Sequence, residues 1–125
     1  VIDDDHEVGL GMKILLEGLG CHILLADGTK SAVHMVKSTR PDIILADFRL
    51  RGNDNGILSI HAIHKLYPKL PAILISGDTA PERLLEAKRA NIQMLHKPVL
   101  VDELEQAIAT LFKHNDIHQE ACLEV

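Results

Sequence analysis

Two kinds of hydrophobic pattern alternate along the chain. Between turn or polar residues lie apolar runs that are short enough for buried strands, at residues 1–2, 21–26, 42–46, 72–75 and 92–95. In the intervening segments, apolar residues recur at steps of three and four, which is the spacing of one helix face. Strands that alternate with helices in this way predict a parallel sheet covered on both faces.

Five segments carry the helical spacing. The first has its apolar stripe at Val8, Met12, Leu15, Leu16 and Leu19, and the others cover residues 31–38, 56–67, a stretch that begins at Pro81, and 102–113. Pro41 and Pro68 follow the second and third helices, in agreement with the helix-ending effect of proline on the preceding residue. Residues 114–125 are polar and are expected to form a tail or linker after a domain of residues 1–113.

Composition narrows the class of protein. The 125 residues suffice for about one domain, and 46% of them are hydrophobic, which allows a real core. The apolar runs are far shorter than the roughly 20 residues of a membrane-spanning helix, so neither a membrane span nor a secretory signal is expected. A net charge of −5 with scattered basic residues argues against nucleic-acid binding by this domain. Two distant cysteines, Cys21 and Cys122, suggest neither a disulfide framework nor a zinc site and favour the cytoplasm.

Chemically active residues follow four of the predicted strands. Asp3, Asp4 and Asp5 come after the first strand, Asp47 after the third, Ser76 and Gly77 after the fourth, and Lys97 and Pro98 after the fifth. In open α/β sheets, ligands bind outside the carboxyl ends of the strands. The sequence therefore places acids, a hydroxyl and an amine at one edge of the sheet.

These residue types suit phosphoryl transfer assisted by magnesium. Neighbouring carboxylates repel each other unless a hard cation neutralises them. Mg²⁺ prefers one or two carboxylates together with waters and phosphate oxygens. A carboxylate beside the ion can then attack phosphorus and form an aspartyl phosphate, while a lysine and a hydroxyl hold the phosphoryl oxygens.

Four motifs resemble those of the response-regulator receiver domain, in the same order and at similar spacing. They are VIDDD (residues 1–5), PDIILADFRL (41–50), ILISG (73–77) and HKPV (96–99). The resemblance covers residues 1–113. It implies an α/β, flavodoxin-like, doubly wound sheet of five parallel strands in the order 2-1-3-4-5 with five helices. Only two residues precede Asp3, so the first strand is expected to be truncated.

The resemblance also implies a role for each matching residue. Asp47 would be the phosphoacceptor, and Mg²⁺ would be held by Asp3 through a water, by Asp4 directly, by Asp47 and by the backbone carbonyl of Arg49. Ser76 and Lys97 would contact the phosphoryl group, Gly77 would leave room for the donor, and the bond before Pro98 would be cis. Asp5 is expected to cap a helix.

Two positions depart from the family pattern or add to it. Most receivers carry an aromatic switch residue three positions before the lysine, where this chain has Met94, so we expect a weaker or differently transmitted switch. Arg49 stands two residues after Asp47, where a long cation could screen a phosphoryl group from water.

The expected function is that of a phosphorelay switch. It would accept a phosphoryl group from a histidine kinase or a histidine phosphotransfer domain and then control a partner or an attached kinase or output domain. Its own catalysis would be limited to transfer onto Asp47 and slow hydrolysis, so it would not be a metabolic enzyme. Residues 47–56, 76–79 and 95–99 favour the receiver of a hybrid histidine kinase, and homodimer formation stays open.

Two other functions compete with the phosphorelay reading. One is an interaction module that keeps the fold but works without phosphorylation. The other is an aspartate-nucleophile phosphatase, which is disfavoured because that chemistry needs an acid two residues after the nucleophile, where Arg49 stands.

Overall fold

Helices and strands alternate through the computed structural model, which describes residues 1–77, 81–90 and 92–114. The helices are α1 (His6–Gly18), α2 (Thr29–Ser38), α3 (Gly56–His64), α4 (Pro81–Arg89) and α5 (Val101–His114). The regular strands are β1 (Ile44–Asp47), β2 (Ala72–Ser76) and β3 (Gln93–His96). Of the predicted tail at residues 114–125, His114 is the last residue of α5, and residues 115–125 lie outside the described residues.

The sheet is parallel throughout. Strand β2 lies between β1 and β3, with Asp47 opposite Ile75 and Ser76 opposite His96. On the other side of β1, Ile2 forms parallel bridges with both Ala46 and Ala26. The order from one edge is therefore residues 24–26, residues 1–2, β1, β2 and β3, which is the predicted 2-1-3-4-5 arrangement.

The first two predicted strands are reduced to bridged segments. Ile2 donates to Leu45 O at 2.8 Å, and Ala26 donates to Val1 O at 2.9 Å. Within residues 21–26, Ala26 alone forms a bridge, and Leu24 O accepts from the amino group of Val1 at 2.9 Å. The prediction of a regular strand over residues 21–26 is wrong, although Ala26 occupies the expected place in the sheet.

Each face of the sheet packs against its own group of helices. Helices α2, α3 and α4 cover one face, and α1 and α5 cover the other; their fully or nearly fully buried contacts include Ala32, Ile60 and Ala87 on the first face and Leu16 and Leu104 on the second. Alternate strand residues point to opposite faces, as the twofold period of a strand requires. The stripe predicted on α1 is only partly correct, because Val8 and Leu19 are about 40% exposed.

Candidate functional site

Three carboxylates converge at the carboxyl edge of the sheet. Asp47 ends β1, and its backbone N–H donates to Ile2 O at 2.8 Å, which places Asp3 beside it. Carboxylate oxygens of Asp3, Asp4 and Asp47 lie within 4.8 Å of one another. They meet because the parallel segments that precede them end at the same edge.

Asp5, the next acid in the chain, does not join this cluster. Its side chain accepts hydrogen bonds from the backbone N–H groups of Glu7 at 3.1 Å and Val8 at 3.2 Å. It therefore caps the N-terminus of α1, as expected from the sequence. Its own backbone N–H donates to Asp3 Oδ1 at 2.9 Å and thereby holds the Asp3 carboxylate in place.

Lys97 approaches the cluster from beyond the end of β3. Its ammonium nitrogen Nζ lies 3.1 Å from Oδ1 of Asp47. Its backbone N–H donates to Ser76 O at 2.9 Å, so the residue is fixed to the end of β2 as well. The Lys97–Pro98 peptide bond is cis, which confirms the expectation from the resemblance.

Burial raises the pKa of two of the carboxyls. The pKa of Asp47 is raised mainly by desolvation, while the hydrogen bond and the charge of Lys97 lower it. The pKa of Asp3 is also raised mainly by desolvation; the N–H of Asp5 lowers it, and the nearby Asp47 carboxylate raises it. Without a cation, the folded protein thus favours the protonated form of both groups more than the unfolded chain does.

The cluster has the donor set of a hard divalent cation. Ligand oxygens on opposite sides of an octahedral Mg²⁺ ion are about 4.2 Å apart, since each lies about 2.1 Å from the metal. The oxygens of the three carboxylates lie within 4.8 Å of one another, so they are close enough to surround one ion. A divalent charge there would offset their repulsion.

The loop of residues 48–55 joins the cluster to α3. Phe48 accepts a hydrogen bond from the N–H of Gly56 at 2.9 Å and donates to Ile75 O at 2.8 Å. Arg49 and Asn55 form an antiparallel bridge across the loop, and Asn55 caps α3 by accepting from Leu58 N–H at 2.9 Å. The backbone of Arg49 therefore lies in a closed loop directly after Asp47.

The remaining predicted site residues lie on or next to β2 and β3. Ser76 is buried at the end of β2, and Gly77 follows it at the surface. A Cβ added at Gly77 would lie 3.8 Å from Cδ of Lys97, so the lysine stem passes beside this glycine. Met94 of β3 lies opposite Leu74 of β2. It is half-buried and packs on the face of the sheet that α2, α3 and α4 cover.

Sequence reasoning missed a second polar cluster close to this site. Asp54 in the loop accepts hydrogen bonds from Thr29 at the start of α2, and the Thr29 hydroxyl also contacts Ser59 of α3. One feature of the sequence could have pointed to this cluster. Gly28, the residue before α2, has no side chain for capping the helix, so an acid from elsewhere in the chain can take that role.

An open groove of 660 Å³ lies beside the acidic cluster. Asp3 and Asp4 form one part of its wall, and His6, Ser31 and Arg51 are among the residues that form the rest. Asp3 and Asp4 are thus accessible from solvent through this groove.

A family model matches residues 1–109, and its description is the response regulator receiver domain. This chain belongs to that family. Receiver domains act in two-component signalling, where they take phosphoryl groups from histidine kinases or phosphotransfer proteins and generally bind Mg²⁺ at an acidic pocket. Within the part of the chain that the structure describes, no helix combines the length and the apolar character needed to cross a bilayer.

The curated relatives of this receiver domain are longer transcription regulators. The transcriptional regulatory protein ZraR of Escherichia coli (strain K12) is 29% identical over 115 residues, which are 91% of this chain. The DNA-binding transcriptional regulator NtrC of the same organism is 24% identical over 121 residues, or 96% of this chain. The chain spans 26% of the length of each.

Solved receiver domains have the same fold. The signal receiver domain of a modulated diguanylate cyclase from Desulfovibrio desulfuricans G20 matches with a TM-score of 0.82 at 29% identity, and 94% of each chain is covered. The receiver domain of NtrX from Brucella abortus matches with a TM-score of 0.81 at 24% identity, over 90% of this chain and 95% of that one. These likenesses confirm the flavodoxin-like fold class.

Proposed function

We propose that Asp47 of this receiver domain accepts a phosphoryl group from a phosphohistidine in the presence of Mg²⁺. The observation that supports this most strongly is the convergence of three carboxylates and the Lys97 ammonium at one edge of the sheet. The Asp47 side chain is 12% exposed, and its Oδ1 lies 3.1 Å from that ammonium. This arrangement suits a nucleophilic carboxylate whose phosphorylated form needs a nearby cation.

In the proposed reaction, a carboxylate oxygen of Asp47 forms a bond to phosphorus. The phosphorus–nitrogen bond of the phosphohistidine breaks, and its electron pair returns to the imidazole nitrogen. Lys97 and the hydroxyl of Ser76 then hold the phosphoryl oxygens. Asp3, through a water, and Asp4, Asp47 and the Arg49 carbonyl would hold Mg²⁺, which supplies charge neutralisation during transfer.

The resulting acyl phosphate would act as a switch. A phosphoryl group at Asp47 adds negative charge next to Lys97 and Ser76, and it biases an equilibrium between two conformations. The partner would be a histidine kinase or histidine phosphotransfer domain, and the output would lie in an attached or separate domain. The motif resemblance favours a hybrid histidine kinase as the parent chain, with a receiver domain of residues 1–113 and a linker after it.

The direct test is intact mass spectrometry after incubation with acetyl phosphate and Mg²⁺. We expect one added phosphoryl group in the parent and none in Asp47→Asn or after chelation of Mg²⁺. Asp102→Asn, which changes an exposed acid in the first turn of α5, is the matched control and should be phosphorylated like the parent. No adduct after rapid quenching, and no spectral change with beryllofluoride, would instead support a phosphorylation-independent interaction module.

A further inference from the structure

The carboxylate of Asp54 joins two elements that are far apart in the sequence. Its Oδ2 accepts the backbone N–H of Thr29 at 2.8 Å, and its Oδ1 accepts the Thr29 hydroxyl at 2.5 Å. Oδ1 also accepts the N–H of Asn55 at 2.9 Å. The loop that follows Asp47 is thereby attached to the first turn of α2.

The hydrogen bonds form a directed chain from α3 through α2 to the loop. A carboxylate can only accept, so the single hydroxyl proton of Thr29 goes to Asp54. The Ser59 hydroxyl, 2.6 Å from the Thr29 hydroxyl, must then be the donor to Thr29. Ser59 is fully buried, so this chain satisfies a polar group inside the core and fixes the geometry of all three residues.

Asp54 takes the place of a cap that α2 lacks. The residue before the helix is Gly28, which has no side chain to accept the first N–H groups. A Cβ added at Gly28 would lie 3.0 Å from Asp54 Oδ2, so a larger residue there would crowd the carboxylate. The negative charge also lies at the positive end of the helix dipole, where it is favoured.

This attachment acts on the part of the loop that is bridged to Arg49. Asn55, next to Asp54, is bridged to Arg49, whose carbonyl is a proposed Mg²⁺ ligand. The loop turns at Gly52, whose positive φ of 69° marks the tip. The attachment of Asp54 to α2 therefore restrains the second half of the loop. The bridge between Asn55 and Arg49 restrains the backbone of Arg49 in turn.

We propose that Asp54 is a positioning residue for the Mg²⁺ site, acting through the backbone of Arg49. This inference rests on the proposed function, because it assumes that Mg²⁺ binds at Asp3, Asp4 and Asp47. Asp54 is not one of the three clustered carboxylates. It restrains the loop that carries the Arg49 carbonyl.

The test compares Mg²⁺ affinity in the parent, Asp54→Ala, Asp54→Asn and Thr29→Val by titration followed by NMR. We expect Asp54→Ala to bind Mg²⁺ about tenfold more weakly, at the lower end of the effect of removing an outer partner of a metal site. Asp54→Asn keeps an acceptor for Thr29 N–H, and Thr29→Val keeps that N–H, so both should lie between the parent and Asp54→Ala. Phosphorylation by acetyl phosphate should recover at saturating Mg²⁺.

A readout without metal separates positioning from a general loss of stability. In the metal-free protein, the Gly56 amide, which donates to Phe48 O across the base of the loop, should exchange faster in Asp54→Ala. The matched control is Tyr67→Phe, which removes the 2.7 Å hydrogen bond from the Tyr67 hydroxyl to Val36 O near the other end of α2. This control should lose stability and keep its Mg²⁺ affinity.

Equal Mg²⁺ affinity in Asp54→Ala and the parent would overturn the proposal and leave Asp54 as a helix cap. If Asp54→Ala does not fold, the Mg²⁺ affinities of Asp54→Asn and Thr29→Val are compared with that of the parent instead, and equal affinities would overturn the proposal in the same way. A parent protein that binds Mg²⁺ but is not phosphorylated would contradict the proposed function alone, since the affinity comparison still tests Asp54. A parent that binds no Mg²⁺ would contradict both.

Discussion

Lys97 reaches Asp47 across the full width of β2. Asp47 ends β1 and Lys97 follows β3, and these strands are not neighbours, yet Nζ of Lys97 lies 3.1 Å from Oδ1 of Asp47. Strands in a sheet are about 4.8 Å apart, so the side chains of Lys97 and Asp47 together bridge two such spacings. The Lys97 stem passes beside Gly77, where an added Cβ would lie 3.8 Å from Cδ of the lysine.

We expect Lys97→Met to separate metal binding from phosphorylation. Loss of the ammonium removes a positive charge that competes with Mg²⁺ for the Asp47 carboxylate, so Mg²⁺ affinity should rise, by about fivefold for a partly screened pair. Phosphorylation by acetyl phosphate should fall at least about tenfold, because a cation that stabilises the transferred group is missing. Calorimetric titration and intact mass measure the two effects, and Lys37→Met on the exposed part of α2 is the control.

The raised pKa of Asp47 predicts how stability changes with pH. In the metal-free protein, burial keeps the Asp47 carboxyl protonated to a higher pH than in the unfolded chain, whose ordinary pKa is 3.8. The folded state therefore binds more protons, and the contribution of this group to the free energy of unfolding falls as pH rises from 3.8 through the raised pKa. Above that range the full penalty remains.

The measurement is urea unfolding of the parent and of Asp47→Asn between pH 4 and pH 8 without metal. The amide variant should be the more stable protein at pH 7, and the difference should shrink as the pH falls. Mg²⁺ at pH 7 should stabilise the parent and not Asp47→Asn. Glu17→Gln, at an exposed carboxylate on α1, should follow the parent; a difference between Asp47→Asn and the parent that does not change with pH would contradict the prediction.

Gly56 and Gly11 should respond in opposite ways to alanine. A Cβ at Gly56 would overlap the carbonyl oxygen of Asp47 and would lie 2.6 Å from Cδ1 of Leu74. Gly56→Ala should therefore lower the free energy of unfolding by about 3 kcal/mol and displace the end of β1. Nothing lies within 4 Å of a Cβ at Gly11, on the exposed side of α1, so Gly11→Ala should raise it by about 0.5 to 1 kcal/mol. Urea unfolding of both variants measures the two changes in the free energy of unfolding. Changes of the same sign would contradict the steric argument.

Arg49→Ala should shorten the lifetime of the phosphorylated protein. The side chain is exposed and leaves the backbone two residues after Asp47, from where a guanidinium can shield the acyl phosphate from water. After removal of the donor, loss of the added mass over time gives the rate of hydrolysis. An unchanged rate would show that the guanidinium has no shielding role. Mg²⁺ affinity should stay near that of the parent, because the proposed ligand is the carbonyl.

Met94→Tyr tests the departure at the switch position. Met94 is half-buried against the core under α2, α3 and α4, so it can repack without leaving its place. With beryllofluoride, we expect smaller NMR shift changes around β3 and α4 in the parent than in Met94→Tyr, where a phenol ring must move as a unit. Equal NMR shift changes in the two proteins would contradict the hypothesis of a weakened switch.

The sequence predicted that the side chains of the acidic site meet because parallel strands bring their carboxyl ends together. Asp3, Asp47 and Lys97 each follow a recognisable apolar run, so their positions along the chain were enough to infer that they meet. Asp54 follows no strand, and its partner Thr29 is 25 positions away. No periodic pattern links a loop acid to the first turn of another helix, so this cluster had to come from the structure.

At the edge of the sheet, by contrast, the sequence predicted more regular structure than the protein has. Residues 21–26 have the apolar pattern of a strand, but a ladder forms only where a neighbouring segment pairs with it. Within these residues Ala26 alone forms a bridge, to Ile2, so the apolar pattern did not predict how far the ladder extends.

The Asp54 cap links the number of residues in one loop to the identity of a residue in another part of the chain. An insertion or deletion between Asp47 and Asn55 would carry the carboxylate away from the start of α2, and Gly28 offers no substitute. In the evolution of this protein, a change of loop length is therefore expected to coincide with the appearance of serine, threonine, aspartate or asparagine at position 28. Position 28 and the length of this loop should covary among its homologues.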